Sequence, residues 1–325
     1  MRILLTRTDR VGDLILSTPA IASFRRSFPD AHITLACSPY NAVVAERSPD
    51  VDALAHFARD GDPRAFGARF PGVDLAVALA PRSVDHRIVA ATRAARRVGY
   101  TYARRFAARL ALRFLMTDVV LSLADPALAE RRPDVPIAHE VDQVLALVPA
   151  AGGSALVRDL VLPIAAEDRA AIVHLPERPI VVQLGRRWTE RGSTAASLLA
   201  LFRELRALGR PLLATSGEDA RALAGEVERA GVADAVLGGM PFHVWAAVFE
   251  RAACVVTIDT GATHVASAVR APVVVLYEHQ WFRLASREWS PYRVPNAVLR
   301  KPPDESDASL RASRAAIVAA VRSLL

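Results

Sequence analysis

The chain has 325 residues, enough for two domains of ordinary size. Hydrophobic residues make up 52% and charged residues 23%, which excludes a disordered chain and supports a large buried core. The net charge is +7 and Lys301 is the sole lysine, so the excess base is a set of arginine forks suited to phosphates and carboxylates.

In chain order, 2–6 (RILLT) reads as a buried strand, and the polar turn RTDRVGD follows it. Residues 14–28 read as a helix, with Pro19 marking a kink or a late start. Residues 32–37, DALAHF and 74–80 read as further strands, with SPYNAVVAER as a short helix among them. From 83 to 116 the pattern is helical and arginine-rich, interrupted by a short strand at RRVGY (96–100). Residues 125–140 carry three prolines and read as loop; VDQVLALVPAAGG reads as one helix. A second alternating series then begins. Its strands are PIVVQLG, PLLATSG, DAVLGG, CVVTIDT and PVVVLYE; its helices are 193–209, EDARALAGEVERAG, PFHVWAAVFERA and GATHVASAVR. An amphipathic helix ends the chain. Strands alternating with helices imply parallel sheets covered on both faces, here in two Rossmann-like domains facing across a cleft.

Cys37 and Cys254 lie in apolar runs and read as core thiols of a reducing compartment. There is no Cys/His cluster with metal-ligand spacing. The start lacks a signal-peptide pattern, and no apolar run reaches the ~18 residues of a spanning helix, so a cytoplasmic location is expected.

Three polar turns carry the chemistry. In TIDTGATH, Gly261 lets the chain turn from strand to helix and lets a ligand approach the backbone. The free N–H groups of such a helix start bind phosphate readily, while Asp259 suits sugar hydroxyls or a structural cap. His264 reads either as a packing residue or as a donor to an anion. In TRTDRVGDLILSTPAI, Asp13 reads either as a helix cap or as a carboxylate held ionised by the helix dipole, able to take a proton from a hydroxyl. Neither turn is a dinucleotide fingerprint or a Walker loop. In GRRWTERGS, Arg186, Arg187 and Arg191 read either as surface charge or as cations for a diphosphate.

Together GDLILSTPAI, RRVGY, HEVDQVLALV and IDTGATHVASAV resemble the motifs of glycosyltransferase family 9, the heptosyltransferases of lipopolysaccharide core assembly. The resemblance implies a GT-B fold, with an N-terminal acceptor domain (1–160), a C-terminal nucleotide-sugar domain (161–310) and a final helix (311–325) able to pack back on the N-terminal domain. It implies inverting transfer with no cofactor or metal required, from an ADP-sugar, by default ADP-heptose, to a glycan or lipid-linked acceptor. Asp13 matches the general base. Asp259, Thr260, Gly261, Ala262 and His264 match the donor signature, Met240 an apolar position near the base, and Glu218 a ribose-binding acid. Gly12, Arg93, Arg96 and Arg97 are candidate acceptor contacts.

Two positions depart from the family pattern. The family's phosphate-reaching lysine has Arg191 or Arg187 as its counterpart, with Arg191 the catalytic candidate. The turn YEHQ (277–280) places Glu278 where a neutral residue is usual. An inactive GT-B binding protein, or a transferase for a natural product or protein, is the alternative. No aromatic-basic pattern supports nucleic acid. A lipid-linked acceptor would bring the arginine-rich 93–113 region to the inner membrane surface.

Overall fold

The alternating runs close into two six-stranded sheets in which every strand pairing among the described residues is parallel. The computed structural model describes residues 1–123 and 129–325. The expected loop at 125–140 therefore lies partly outside the described residues. The chain divides into two compact units, Met1–Pro163 with Arg287–Trp289, and Ile164–Ser286 with Ser290–Leu325.

The first sheet contains β1 (Arg2–Arg7), β2 (His32–Cys37), β3 (Ala53–His56), β4 (Leu75–Ala78), β5 (Arg96–Tyr102) and β6 (Asp118–Ser122), in the order β3-β2-β1-β4-β5-β6. Its central strands are continuous apolar runs because helices cover both faces. Ile3, Leu4, Leu5, Ile33, Leu35, Leu75 and Val77 are at most 1% exposed. Burying side chains of this size contributes roughly 1.5–3 kcal/mol each.

The first helix runs Val11–Ser27 with Pro19 inside it, so the chain neither breaks nor starts late there. Pro19 cannot donate to the Ile15 carbonyl, and Thr18 Oγ1 donates to that oxygen instead at 2.7 Å. Two further expectations are corrected. SPYNAVVAER yields only a 3-10 turn at Ala42–Val44, and the single helix expected after 140 is two, Glu140–Leu145 and Leu147–Ala150.

The second sheet contains β7 (Ile180–Leu184), β8 (Leu212–Ser216), β9 (Ala235–Gly238), β10 (Cys254–Ile258), β11 (Val273–Tyr277) and β12 (Asn296–Arg300), in the order β12-β11-β10-β7-β8-β9. The last helix, Asp307–Leu324, packs in this unit: Ile317 and Val321 join the core formed with Phe202, Leu205 and Val274. The apolar stripe of the final helix is thus satisfied against the second sheet. Cys37 and Cys254 are buried free thiols, each pushed up to about 12 chiefly by burial. No helix among the described residues is long and apolar enough to cross a membrane.

Candidate active site

In each sheet the strand order reverses direction at one point, and such points open a crevice beyond the carboxyl ends of the strands. In the first unit that point lies between β1 and β4, and β1 runs directly into the turn that carries Asp13.

Asp13 is buried at 6% exposure and is the third residue of its helix, not the cap. Arg10 holds the cap position and contributes no side-chain cap bond. A carboxylate in a first turn is favoured by the helix dipole. Asp13 Oδ2 accepts from Arg10 Nε at 2.9 Å, and Oδ1 lies 3.6 Å from Arg7 Nη2. Arg7 is the centre of this cluster. Only 2% exposed, it donates from Nε to Asp9 Oδ1 (2.9 Å) and from Nη1 to Glu140 Oε1 (2.9 Å) and to the Leu79 carbonyl. Tyr100 Oη donates to the same Glu140 oxygen at 2.9 Å. One buried guanidinium therefore orients Asp13 from behind while Arg10, 71% exposed, covers its outer oxygen. Burial raises the Asp9 carboxyl despite Arg7, and pushes Asp85 up to about 6, where it accepts from the Thr8 backbone N–H at 3.2 Å. Among the described residues, no group of three or more His, Cys, Asp or Glu is arranged to hold a metal ion.

The sequence signal for this cluster was an arginine ending a buried strand, which must find carboxylates; their position, 133 residues away for Glu140, was not readable.

A second buried acid joins this unit from far along the chain. The segment Arg287–Trp289 belongs to the first unit although the residues on either side belong to the second. Its Glu288 is fully buried; Oε1 accepts from Gln143 Nε2 (2.9 Å) and Tyr102 Oη (3.3 Å), and Oε2 has no hydrogen-bond partner among the described residues. Burial, then the nearby Glu140 charge, pushes its carboxyl up to about 8. Between its unfolded pKa of about 4.3 and about 8, the folded state holds the extra proton, so this group's contribution falls as pH rises through that window. Glu288→Gln is expected to match wild-type stability near pH 5 and exceed it at pH 8 by about 1 kcal/mol or more. Denaturant melts at the two pH values check it; an equal loss at both would contradict the assignment.

The candidate acceptor arginines are not brought to Asp13. Arg96 and Arg97 open β5, at the amino-terminal edge of the sheet, whereas Asp13 follows the carboxyl end of β1. Their guanidiniums bind backbone carbonyls, Arg96 that of Ala150 (2.8 Å) and Arg97 those of Ala94 (2.6 Å) and Leu115 (3.0 Å). Arg93 is an exposed turn residue before the same strand. Gly12 is buried beside Asp13 in the first turn.

In the second unit the order reverses between β7 and β10, and the two loops that leave these strands are GRRWTERG and DTG. The helix Gly261–Ala268 opens there, with Thr260 as its cap residue and no side-chain cap bond. Arg187 Nη1 donates to the Asp259 carboxylate at 2.8 Å and to its carbonyl at 2.6 Å. Ala262 and His264 are buried in the helix; Thr260 and Gly261 are half-buried. Glu218 and Met240 follow β8 and β9, successively farther from the reversal point along the sheet. Glu218 is 75% exposed and paired with Arg221; Met240 is half-buried.

Lys301 comes to this site from beyond β12. It is 1% exposed, and its Nζ donates to the carbonyls of Arg187 and Glu190 (2.9 Å) and to Glu278 Oε1 (2.9 Å). The unusual acid in YEHQ thus has a buried counter-charge, and the pair ties down the arginine loop. Trp188, buried and donating to the Gln183 carbonyl at 2.8 Å, is the second anchor. Gly192 closes the loop at φ +76°, where an added Cβ would lie 2.4 Å from the Pro302 carbonyl, so only glycine fits. Arg191 is exposed, and with the Gln280 amide turned to the orientation its neighbours require, its oxygen accepts from Arg191 and from Trp281 Nε1 (2.9 Å).

Residues 210–299 match the family model for glycosyltransferase family 9 (heptosyltransferase). This stretch includes Asp259 to His264 and Glu278; Asp13 and the arginine loop lie outside it. No curated protein sequence matches the chain. In fold the chain is similar to a family 9 glycosyl transferase from Veillonella parvula DSM 2008, with TM-score 0.78, 19% identity and coverage of 99% of this chain and 96% of that one. It is similar to E. coli ADP-heptose lps heptosyltransferase II (TM-score 0.74, 17% identity, 100% and 98% covered). The same holds for E. coli heptosyltransferase WaaC with ADP (TM-score 0.71, 18% identity, 100% of both chains). Residues 210–299 thus carry a family 9 signature, within a chain that shares the GT-B fold of these solved heptosyltransferases from end to end.

Proposed function

We propose that the protein moves a sugar, by default a heptose, from an ADP-sugar to a hydroxyl of a glycan or lipid-linked acceptor in surface glycan assembly, with inversion and without a required metal. The observation that carries this reading is the turn at Asp259–Gly261, where a helix start and two loop arginines share the reversal point of the second sheet. The solved heptosyltransferase of similar fold was determined with ADP, which supports an adenine nucleotide.

In this mechanism the backbone N–H groups at Gly261 and Ala262, with Arg187 and Arg191, hold the diphosphate. Binding exchanges the Arg187–Asp259 pair for Arg187–phosphate and turns the Asp259 carboxylate toward sugar hydroxyls. His264 stiffens the first turn of that helix; Glu218 contacts the ribose and Met240 the apolar side of the donor.

A sugar hydroxyl is a weak acid, and a carboxylate of ordinary pKa near ~3.9 cannot deprotonate it beforehand. Asp13 accepts the proton late, as the acceptor oxygen bonds to the anomeric carbon and the bond from that carbon to the phosphate oxygen breaks. The electron pair leaves on the nucleoside diphosphate, whose growing charge the helix start and arginines stabilise more than they do the ground state.

A thermal-shift panel of ADP-, GDP-, UDP- and dTDP-sugars in excess chelator tests the donor assignment. An ADP-sugar at about 100 times its Kd is expected to add ~2.7 kcal/mol of stability. A panel in which none shifts the midpoint, or in which a shift requires added metal, would contradict it.

A further inference from the structure

The helix Phe106–Leu115 of the first unit has two apolar faces. One is formed by Ala108, Leu112 and Leu115, which pack into the core with Met116. The other carries Phe106, Leu110 and Phe114, 75%, 48% and 81% exposed. Steps of four residues put these three side chains on one stripe. Arg104 and Arg105 stand exposed just before the helix and Arg113 exposed within it, and the stretch 103–115 contains no acid. Arg105 lies over the Tyr102 ring at 4.9 Å, which keeps its charge at the start of the helix. The helix begins just after β5 ends, at the same sheet edge from which β1 runs to Asp13.

We propose that this stripe docks on an anionic lipid bilayer. Phe106, Leu110 and Phe114 enter the boundary between headgroups and acyl chains, and Arg104, Arg105 and Arg113 meet lipid phosphates. Charge complementarity selects this occupant. A second copy seated on the same face would set arginine against arginine. A nucleic acid would meet the arginines but leave Leu110 and the aliphatic part of the stripe without a partner. At 10 residues the helix is about 15 Å long, so it lies on a bilayer and does not cross it. The contact presents a lipid-linked acceptor at the Asp13 edge of the unit; that consequence rests on the transferase reading, whereas the lipid contact does not.

Vesicle co-sedimentation of the full chain tests the proposal. Phosphatidylcholine vesicles containing phosphatidylglycerol are expected to pellet it about tenfold or more better than phosphatidylcholine alone. Phe106→Ser with Phe114→Ser should lower that binding by about tenfold or more with the thermal midpoint and ADP-sugar binding unchanged, since both rings are exposed. Arg104, Arg105 and Arg113 replaced together by Gln should remove the preference for anionic lipid. As a second readout, Phe114→Trp should shift its fluorescence to the blue on anionic vesicles. Wild-type protein that stays in the supernatant, binding indifferent to the Phe106/Phe114 change, self-association abolished by that change, or RNA retention equal to vesicle retention would each overturn the proposal. Because ADP-sugar binding is measured separately, failure on lipid is distinguishable from failure of the transferase reading.

Discussion

Lys301→Met is expected to lower the thermal midpoint by on the order of 10 °C and to abolish donor binding. The substitution leaves Glu278, whose side chain is 12% exposed, without its cation, and it orphans the carbonyls of Arg187 and Glu190. Breaking a buried pair by removing one partner costs about 3–5 kcal/mol. In a protein of this size that corresponds to roughly 2–4 °C per kcal/mol. Lys301→Arg should not rescue, because a planar fork does not reproduce the three donations that the buried ammonium makes. Pairing Lys301→Met with Glu278→Gln should recover part of the stability by removing the stranded charge. It should not recover donor affinity, because the arginine loop stays untied. Calorimetry of unfolding and titration with ADP-sugar measure the two effects separately; a single variant within about 1 °C of wild type would show that the lysine does not hold the loop.

Asp13→Asn is expected to lower turnover by about 10²–10⁴-fold with the donor Kd unchanged. The amide keeps the size of the side chain but cannot accept the acceptor's proton. Stability should fall by only about 1 kcal/mol, since the Arg10 partner is 71% exposed and Arg7 keeps Asp9 and Glu140. Steady-state kinetics beside donor titration checks both halves. Near-normal turnover would reduce Asp13 to an element of the Arg7 cluster.

The sheet centres were readable in sequence because strands buried on both faces are continuous apolar runs, and HITLAC matches β2 residue for residue. The edge strands β6 and β12 were missed: their residues are half-exposed, so their runs are short and mixed. The helix Phe282–Glu288 was also missed, and with it the return of Arg287–Trp289 to the first unit, which depends on the burial of Glu288. At the candidate site, the polar turn after β10 was legible because it interrupts apolar periodicity within a few residues. The Arg7–Glu140 and Lys301–Arg187 contacts join positions 133 and 114 residues apart, and no local pattern encodes such a pairing. In sequence Glu278 stood out as a departure and Lys301 only as the sole lysine; the fold makes them partners.

The proposed reaction is a single displacement at the anomeric carbon, with one carboxylate taking the acceptor proton and a nucleoside diphosphate departing. The anomeric configuration of the product, determined by nuclear magnetic resonance after transfer from ADP-heptose to a de-acylated lipopolysaccharide core in excess chelator, reads that event directly. A glycoside of inverted configuration, formed with one equivalent of ADP, is expected. A product of retained configuration, or consumption of the donor without glycoside, would contradict it.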